Sequence, residues 1–155
     1  MEIRRFQPED AIETAQVIAR TLTISNSKDY SKEYIEALIA SHSAEGLNEK
    51  AKEGHMYVVC DDSRIIGCGS IAEYWGSTTE SILLTFFVLP EYQGKGVGRQ
   101  LMQTLEQDEY FLRAKRIEIP ASITAVEFYK KMGYDYKNGI AELGEGLLYR
   151  LEKYR

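Results

Sequence analysis

The run Ser81–Leu89 (SILLTFFVL) is the most apolar stretch in the chain, and it stops abruptly at Pro90-Glu91-Tyr92-Gln93-Gly94-Lys95-Gly96-Val97-Gly98-Arg99. A run this short, rich in β-branched and aromatic residues and closed by proline, reads as a central strand buried on both faces. Beyond it Val97, Leu101 and Leu105 recur every four residues, the stripe of a helix packed on a sheet. Between strand and helix stand Gly94, Gly96 and Gly98, each costing roughly 1 kcal/mol against alanine if a helix were all they served. They point to a backbone that curls around an anion with its N–H groups inward. The helix behind them begins with N–H groups that lack partners and a dipole that is positive at that end. Strand, glycine turn and helix commit the chain to an α/β layer.

Two familiar phosphate loops fail here. A Walker loop needs Gly-Lys followed by Ser or Thr, but Gly94-Lys95 is followed by Gly96, with no hydroxyl for magnesium. The dinucleotide fingerprint G-x-G-x-x-G fails because 94-96-98 is G-x-G-x-G, and such a loop is expected near the start of a β-α-β unit. An ATP-binding or nicotinamide-binding protein is therefore a poor reading.

Length and composition narrow the class. At 155 residues, 44% hydrophobic and 28% charged, the chain reads as one globular domain spanning residues 1–155. A formal charge of −5 argues against nucleic acid or an anionic membrane as a partner. No apolar stretch approaches the roughly 20 residues that span a bilayer. The start MEIRRFQPED has no signal-like apolar region, so a cytoplasmic location is expected. Cys60 and Cys68 are expected to be reduced thiols, and His42 and His55 have no third ligand near them, so no metal site is expected.

The remaining elements follow from periodicity and caps. MEIRRF is a strand, QPEDAIETAQVIARTL a helix, and SKEYIEALIASH a second helix with Ser31 as N-cap. SAEGLNEKAKEG adds a short helix. HMYVVC and IIGCGSIAEYW form a hairpin, and one helix is expected from Gly96 to Lys115. RIEIPA is a strand, SITAVEFYKKMG a helix capped by Ser122 and closed by Gly133, and EGLLYRLEKY a last strand.

The segment Gln93-x-x-Gly96-x-Gly98 after FFVLPEY resembles motif A of the GCN5-related N-acetyltransferases, the GNAT superfamily. PASITAVEFYKKMGY resembles the later motif of that family, with Ala125, Phe128, Tyr129, Lys131, Gly133 and Tyr134 at matching spacing. IRRFQPEDA and YRLEK resemble the family's edges, so the likeness covers nearly the whole chain and is weakest from Thr23 to Gly54. It implies an α/β fold with a mixed central sheet, a splayed central strand and flanking helices.

It also implies acetyl-coenzyme A as cosubstrate. Backbone groups of Phe86, Phe87 and Val88 would hold the pantetheine arm, one of them facing the thioester carbonyl. Gln93, Gly94, Lys95, Gly96, Val97, Gly98 and Arg99 would hold the pyrophosphate, with Lys95 or Arg99 adding charge. Tyr129 would act as the general acid that protonates the departing thiolate. Ser122 stands where many members carry asparagine. Glu80, at the entry to the central strand, is the expected general base, with Glu118 as its competitor. The acceptor would be the primary amine of a small molecule or peptide, walled by the segment from Leu22 to Gly54, the hairpin tip and Glu73-Tyr74-Trp75. The resemblance leaves a homodimer open. A non-catalytic acyl-coenzyme A-binding module of the same fold is the alternative from another class, and an intact Tyr129 favours the enzyme.

Overall fold

The apolar run becomes the pivot of the molecule. The computed structural model describes residues 1–155. In chain order it forms β1 (Glu2–Arg5), α1 (Ala11–Ile24), α2 (Lys32–Ser41), α3 (Ala44–Ala51), β2 (His55–Asp61), β3 (Arg64–Glu73) and β4 (Glu80–Val88). There follow α4 (Val97–Leu105), α5 (Glu109–Leu112), β5 (Arg116–Ala121), α6 (Val126–Lys131), β6 (Asp135–Tyr136) and β7 (Tyr149–Tyr154). The strands make one seven-stranded sheet in the order β1-β2-β3-β4-β5-β7-β6. Every neighbouring pair is antiparallel except β4 and β5, which run parallel and are joined across α4 and α5.

The local signals act as expected at most ends. The Ser31 hydroxyl accepts the Tyr34 N–H at the start of α2, and Gly133 leaves α6 with φ +99°. Ser122 Oγ accepts the Ala125 N–H, fixing the turn into α6. The single helix expected from Gly96 to Lys115 is instead two. Asp108, buried, accepts the Tyr110 N–H and starts α5 as a new N-cap, so its preference for a cap overrides continuation. The last strand begins only at Tyr149, because positive φ at Gly146 and Leu147 turns the backbone before it.

The pairing of β4 with β5 ends early. Glu80 pairs with Arg116, Ser81 with Ile117 and Ile82 with Glu118, and there the ladder stops while β5 continues along β7 to Ala121. Past that point β4 carries a bulge against β3 between Cys68 and Ser70, with Thr85 at φ +55°. A β-branched residue in that region costs on the order of 1–3 kcal/mol and marks backbone held by its surroundings. Burial on both faces therefore holds only for the first half of the strand. Ser81, Ile82 and Leu83 are buried, whereas Leu84 is 38% exposed and Phe86 and Phe87 are half-buried, because their neighbour strand has diverged.

The core is one cluster of 32 buried residues on both sides of the sheet. Val97, Leu101, Met102 and Leu105 of α4 are in it, each stabilising by about 1.5–3 kcal/mol relative to an exposed side chain. Cys60 and Cys68 are separate buried thiols, Cys60 facing Ile65 and Cys68 facing Val58 across the β2–β3 ladder. No helix is long and apolar enough to cross a membrane.

Candidate active site

The divergence of β4 from β5 opens a cleft of about 690 Å³. Its floor is the open half of β4 and its walls come from α1, α2, the glycine loop and α6. A parallel sheet that parts at the carboxyl ends of its strands exposes backbone there and accepts ligands.

The glycine loop forms one mouth of this cleft. Gly94 and Gly96 adopt φ of +74° and +87°, and a Cβ at either would meet no atom within 4 Å. Their glycine identity answers the backbone turn, and the space before them is open. None of the six backbone N–H groups from Gly94 to Arg99 donates to a carbonyl, and none meets a side-chain acceptor; the first helical bond runs from Gln100 N–H to the Gly96 carbonyl. A row of unpartnered donors at a helix N-terminus is a ready anion cradle. Gly98 has a different reason. A Cβ there would sit 3.0 Å from Phe128 Cζ, so the third glycine lets α4 lie against the α6 ring.

The side chains of the loop divide by role. Arg99 lines the cleft, joined by Lys131 from α6, and neither is in an ion pair. Lys95 does not line it; its ammonium lies 5.9 Å from the centroid of the Tyr92 ring. Val97 is a core residue that offers only its backbone. Gln93 turns inward, its amide donating to the Val88 carbonyl at 2.9 Å and to Ser25 Oγ at 3.1 Å, which ties the loop to the end of β4 and the end of α1.

Phe86 and Phe87, as successive strand residues, face opposite sides of the sheet. Phe86 packs on Phe128 and Tyr129 of α6, with ring centroids 5.6 and 5.7 Å away. Tyr129 is buried yet lines the cleft, and its hydroxyl has no hydrogen-bond partner in the protein. Burial, with a smaller contribution from Cys68, pushes the Tyr129 phenol well above its usual range, so it stays protonated. Cys68 is itself pushed up to about 12 by burial, and its thiol donates to the Thr85 carbonyl at 3.3 Å. Phe87 meets His42 edge-on, with centroids 5.7 Å apart.

The closed end of β4 is a different environment. Glu80 does not line the cleft; its carboxylate lies 3.4 Å from Arg116 on the paired half of the strand. Glu118, 1% exposed, is held by Arg116, by Lys137 at 2.9 Å and by Arg150 at 3.4 Å. Burial alone would raise its pKa, but Arg116 and Lys137 outweigh that and hold it below the usual carboxylate range. The structure thus brings Tyr129 and the glycine loop to one cleft and leaves both glutamates outside it. Glu73, Tyr74 and Trp75 also lie elsewhere: Tyr74 stacks with Arg116 and Lys137, and Trp75 is 76% exposed. No group of three or more His, Cys, Asp or Glu side chains is placed to hold a metal ion.

The segment from Leu22 to Gly54 does wall the cleft, through residues with no motif to announce them. Asn26, Tyr30, Tyr34, Leu38, His42 and Glu53 all reach it. Tyr30 and Tyr34 stack at 4.4 Å, and their hydroxyls donate to the carbonyls of Leu147 and Gly146, fastening the loop before β7 over this end. The helical spacing of Tyr30, Tyr34 and Leu38 was the one available signal, and alone it reads as a core stripe.

The geometry has counterparts among known proteins. The chain is 27% identical over 134 residues to the uncharacterized N-acetyltransferase YafP of Escherichia coli (strain K12), covering 86% of this chain and 81% of that protein. Its fold is similar to the crystal structure of PaiA N-acetyltransferase from Thermoplasma acidophilum in complex with coenzyme A, with a TM-score of 0.83, 24% identity, and 99% and 98% of the two chains covered. A GCN5-related N-acetyltransferase from Rhodopseudomonas palustris is similar too, with a TM-score of 0.80, 24% identity, and 99% and 95% covered. Residues 52–136, which carry the splayed strand, the glycine loop and α6, match the acetyltransferase (GNAT) domain, and the chain belongs to that family.

Proposed function

We propose that this protein transfers an acetyl group from acetyl-coenzyme A to a primary amine of a small molecule or peptide, with all 155 residues acting as one such domain. One observation carries the reading. The partnerless N–H groups of Gly94, Gly96, Gly98 and Arg99 and the un-ionised, partnerless hydroxyl of Tyr129 belong to residues that line the same cleft. The first is a site for pyrophosphate, with Arg99 and Lys131 as nearby cations. The second is a proton donor beside the strand that would hold the thioester.

The open edge of β4 from Leu83 onward suits an extended pantetheine arm, because its ladder toward β5 ends at Ile82. In the transfer, the amine nitrogen attacks the thioester carbonyl carbon, the C–S bond breaks, and Tyr129 gives its proton to the thiolate. The proton that the nitrogen sheds as the amide forms returns the tyrosinate to phenol through solvent. Glu53 is the one carboxylate lining the cleft, and with the Tyr30–Tyr34 faces it favours a cationic acceptor. The two free thiols fit work in the reducing cytoplasm.

The test is free-thiol release from acetyl-coenzyme A with 2-phenylethylamine, tyramine, 1,4-diaminobutane, lysine and a short peptide with a free N-terminus. Amine-dependent release is expected for at least one. Tight coenzyme A binding in calorimetry with no release for any would identify a binding module instead.

A further inference from the structure

Direct attack requires a neutral amine, and the acceptor arrives mostly as an ammonium ion. Neither Glu80 nor Glu118 reaches the cleft to take its proton. Among the cleft-lining side chains the acceptors of the right type are Glu53 and His42, and the His42 ring packs on Phe87 in the open half of β4.

His42 is the residue that ends α2. Its Nδ1–H donates to the Leu38 carbonyl at 2.7 Å, with Ser41 Oγ 3.1 Å from the same nitrogen. A carbonyl can only accept, so the proton sits on Nδ1 and leaves Nε2 as the bare, basic nitrogen. Nε2 has no partner in the protein. The ring packs edge-on against Phe87, while Tyr129 packs against Phe86 from the other face of the same strand. An acid and a base thus flank two successive residues of β4.

We infer that His42 is the general base of this protein, its Nε2 taking the proton from the acceptor ammonium on the side of β4 opposite Tyr129. The inference rests on the N-acetyltransferase reading above. The steps balance: Nε2 accepts one ammonium proton to give imidazolium, the freed amine attacks, the C–S bond breaks as Tyr129 protonates the thiolate, the second nitrogen proton returns the tyrosinate to phenol through solvent, and imidazolium gives its proton to solvent. The surroundings keep the imidazole available. Burial holds its pKa below the usual value, with Lys50 of α3 adding to that and the bond to Leu38 opposing it. Glu53, after α3, and Tyr34, on α2, share the cleft wall with it, and β4 presents only the neutral Phe87.

The experiment has two arms. In the first, long-range ¹H–¹⁵N correlation spectra of the free protein are followed through a pH titration. The chain has two histidines, and His42→Gln leaves only His55, so assignment is direct. His42 is expected neutral at pH 7 with its proton on Nδ1, titrating below about 6.5. A proton on Nε2, or a charged ring at pH 7, would overturn the inference. In the second arm, kcat/KM is measured against pH for the amine of the panel that wild type acetylates fastest. His42→Gln is expected to lower it roughly 10²-fold and to abolish the fall in rate on the acid side. Coenzyme A affinity by calorimetry should not change. A variant that keeps both the rate and the acid limb sinks the base while sparing the transferase. If wild type turns over no amine of the panel, the transferase reading fails and the base with it.

Discussion

The two halves of β4 share one strand and opposite fates. From Glu80 to Ile82 every neighbour is present: β5 completes the ladder, and Arg116 gathers Glu80, Glu118 and Glu152 into one charge network. From Thr85 to Val88 the β5 partner strand is gone, and the N–H groups of Gly94–Arg99, the Tyr129 hydroxyl and His42 Nε2 beside this half have no partner in the protein. Satisfied charge stiffens a fold but has little left to offer a substrate. Unsatisfied donors, a protonated phenol and a neutral imidazole are costly to the fold and useful to chemistry. Chemistry is therefore expected to follow the open half and stability the closed half, and exchanging the two roles by mutation should fail.

The largest effect is expected at Tyr129. Tyr129→Phe keeps the ring on Phe86 and Phe128 and removes only the hydroxyl. The kcat should fall by about 10²–10⁴-fold with coenzyme A affinity nearly unchanged. Because burial raises the phenol's pKa, wild type should show no loss of rate from tyrosine ionisation below about pH 10. Stopped-flow or steady-state thiol release decides this. A fully active variant would mean water or another group protonates the thiolate.

The closed half should answer in stability instead. Glu118→Gln leaves Arg116 buried with one carboxylate fewer, and breaking a buried pair of this kind costs about 3–5 kcal/mol. At this chain length that is a drop of roughly 6–20 °C in Tm, read by calorimetry. The sign with pH follows from the lowered pKa of Glu118. Its stabilisation is complete above its unfolded pKa near 4.5 and is lost as pH falls through the lower folded value. Wild type should therefore lose stability below pH 4.5 more steeply than Glu118→Gln. A variant with unaltered Tm but lost turnover would bring Glu118 back to the chemistry.

Gly96→Val tests the cradle between these extremes. Gly96 has φ +87° and open space before it, so valine would strain the backbone by roughly 1–2 kcal/mol and place its branch where an anion would lie. Coenzyme A affinity should weaken by about tenfold or more, while Lys95→Ala should change it by less than about fivefold, since an exposed charge contact contributes about 0–1 kcal/mol. Equal, unchanged affinities in calorimetry would remove the pyrophosphate from this loop.

How far the sequence foretold these halves depends on how local each feature is. The strand, the glycine turn, α4 and α6 were legible because each is encoded within about a dozen neighbouring residues. Tyr129 came with them, since its place is fixed by the spacing of one helix. The bulge at Thr85 was not legible: a β-branched residue in a strand gives no sign of positive φ, because β3 and the divergence of β5 impose it. Nor was the cleft role of His42, Tyr30 or Glu53, which meet the site only through tertiary packing of α1, α2 and α3. Glu80, which the family resemblance placed beside the site, lies outside the cleft, on the end of β4 that pairs with β5 and Arg116.

The smallest effect is expected at Glu80, and it sharpens the contrast most. Its carboxylate is 35% exposed and lies 3.4 Å from an Arg116 that keeps two closer carboxylates. A part-exposed pair of that geometry contributes about 0–1 kcal/mol, so Glu80→Gln should move Tm by only a few degrees. It does not line the cleft, and glutamine retains the strand's shape, so kcat/KM should stay within about twofold of wild type and the acid limb of the pH profile should keep its position. Paired with His42→Gln, this makes a direct contest between the two halves for the role of base. If Glu80→Gln instead lost about 10² in kcat/KM with Tm and coenzyme A affinity intact, the acceptor would have to enter from the closed end. The bare edge of β4 would then serve the cosubstrate alone, and the division of the strand into a stabilising half and a reactive half would be wrong.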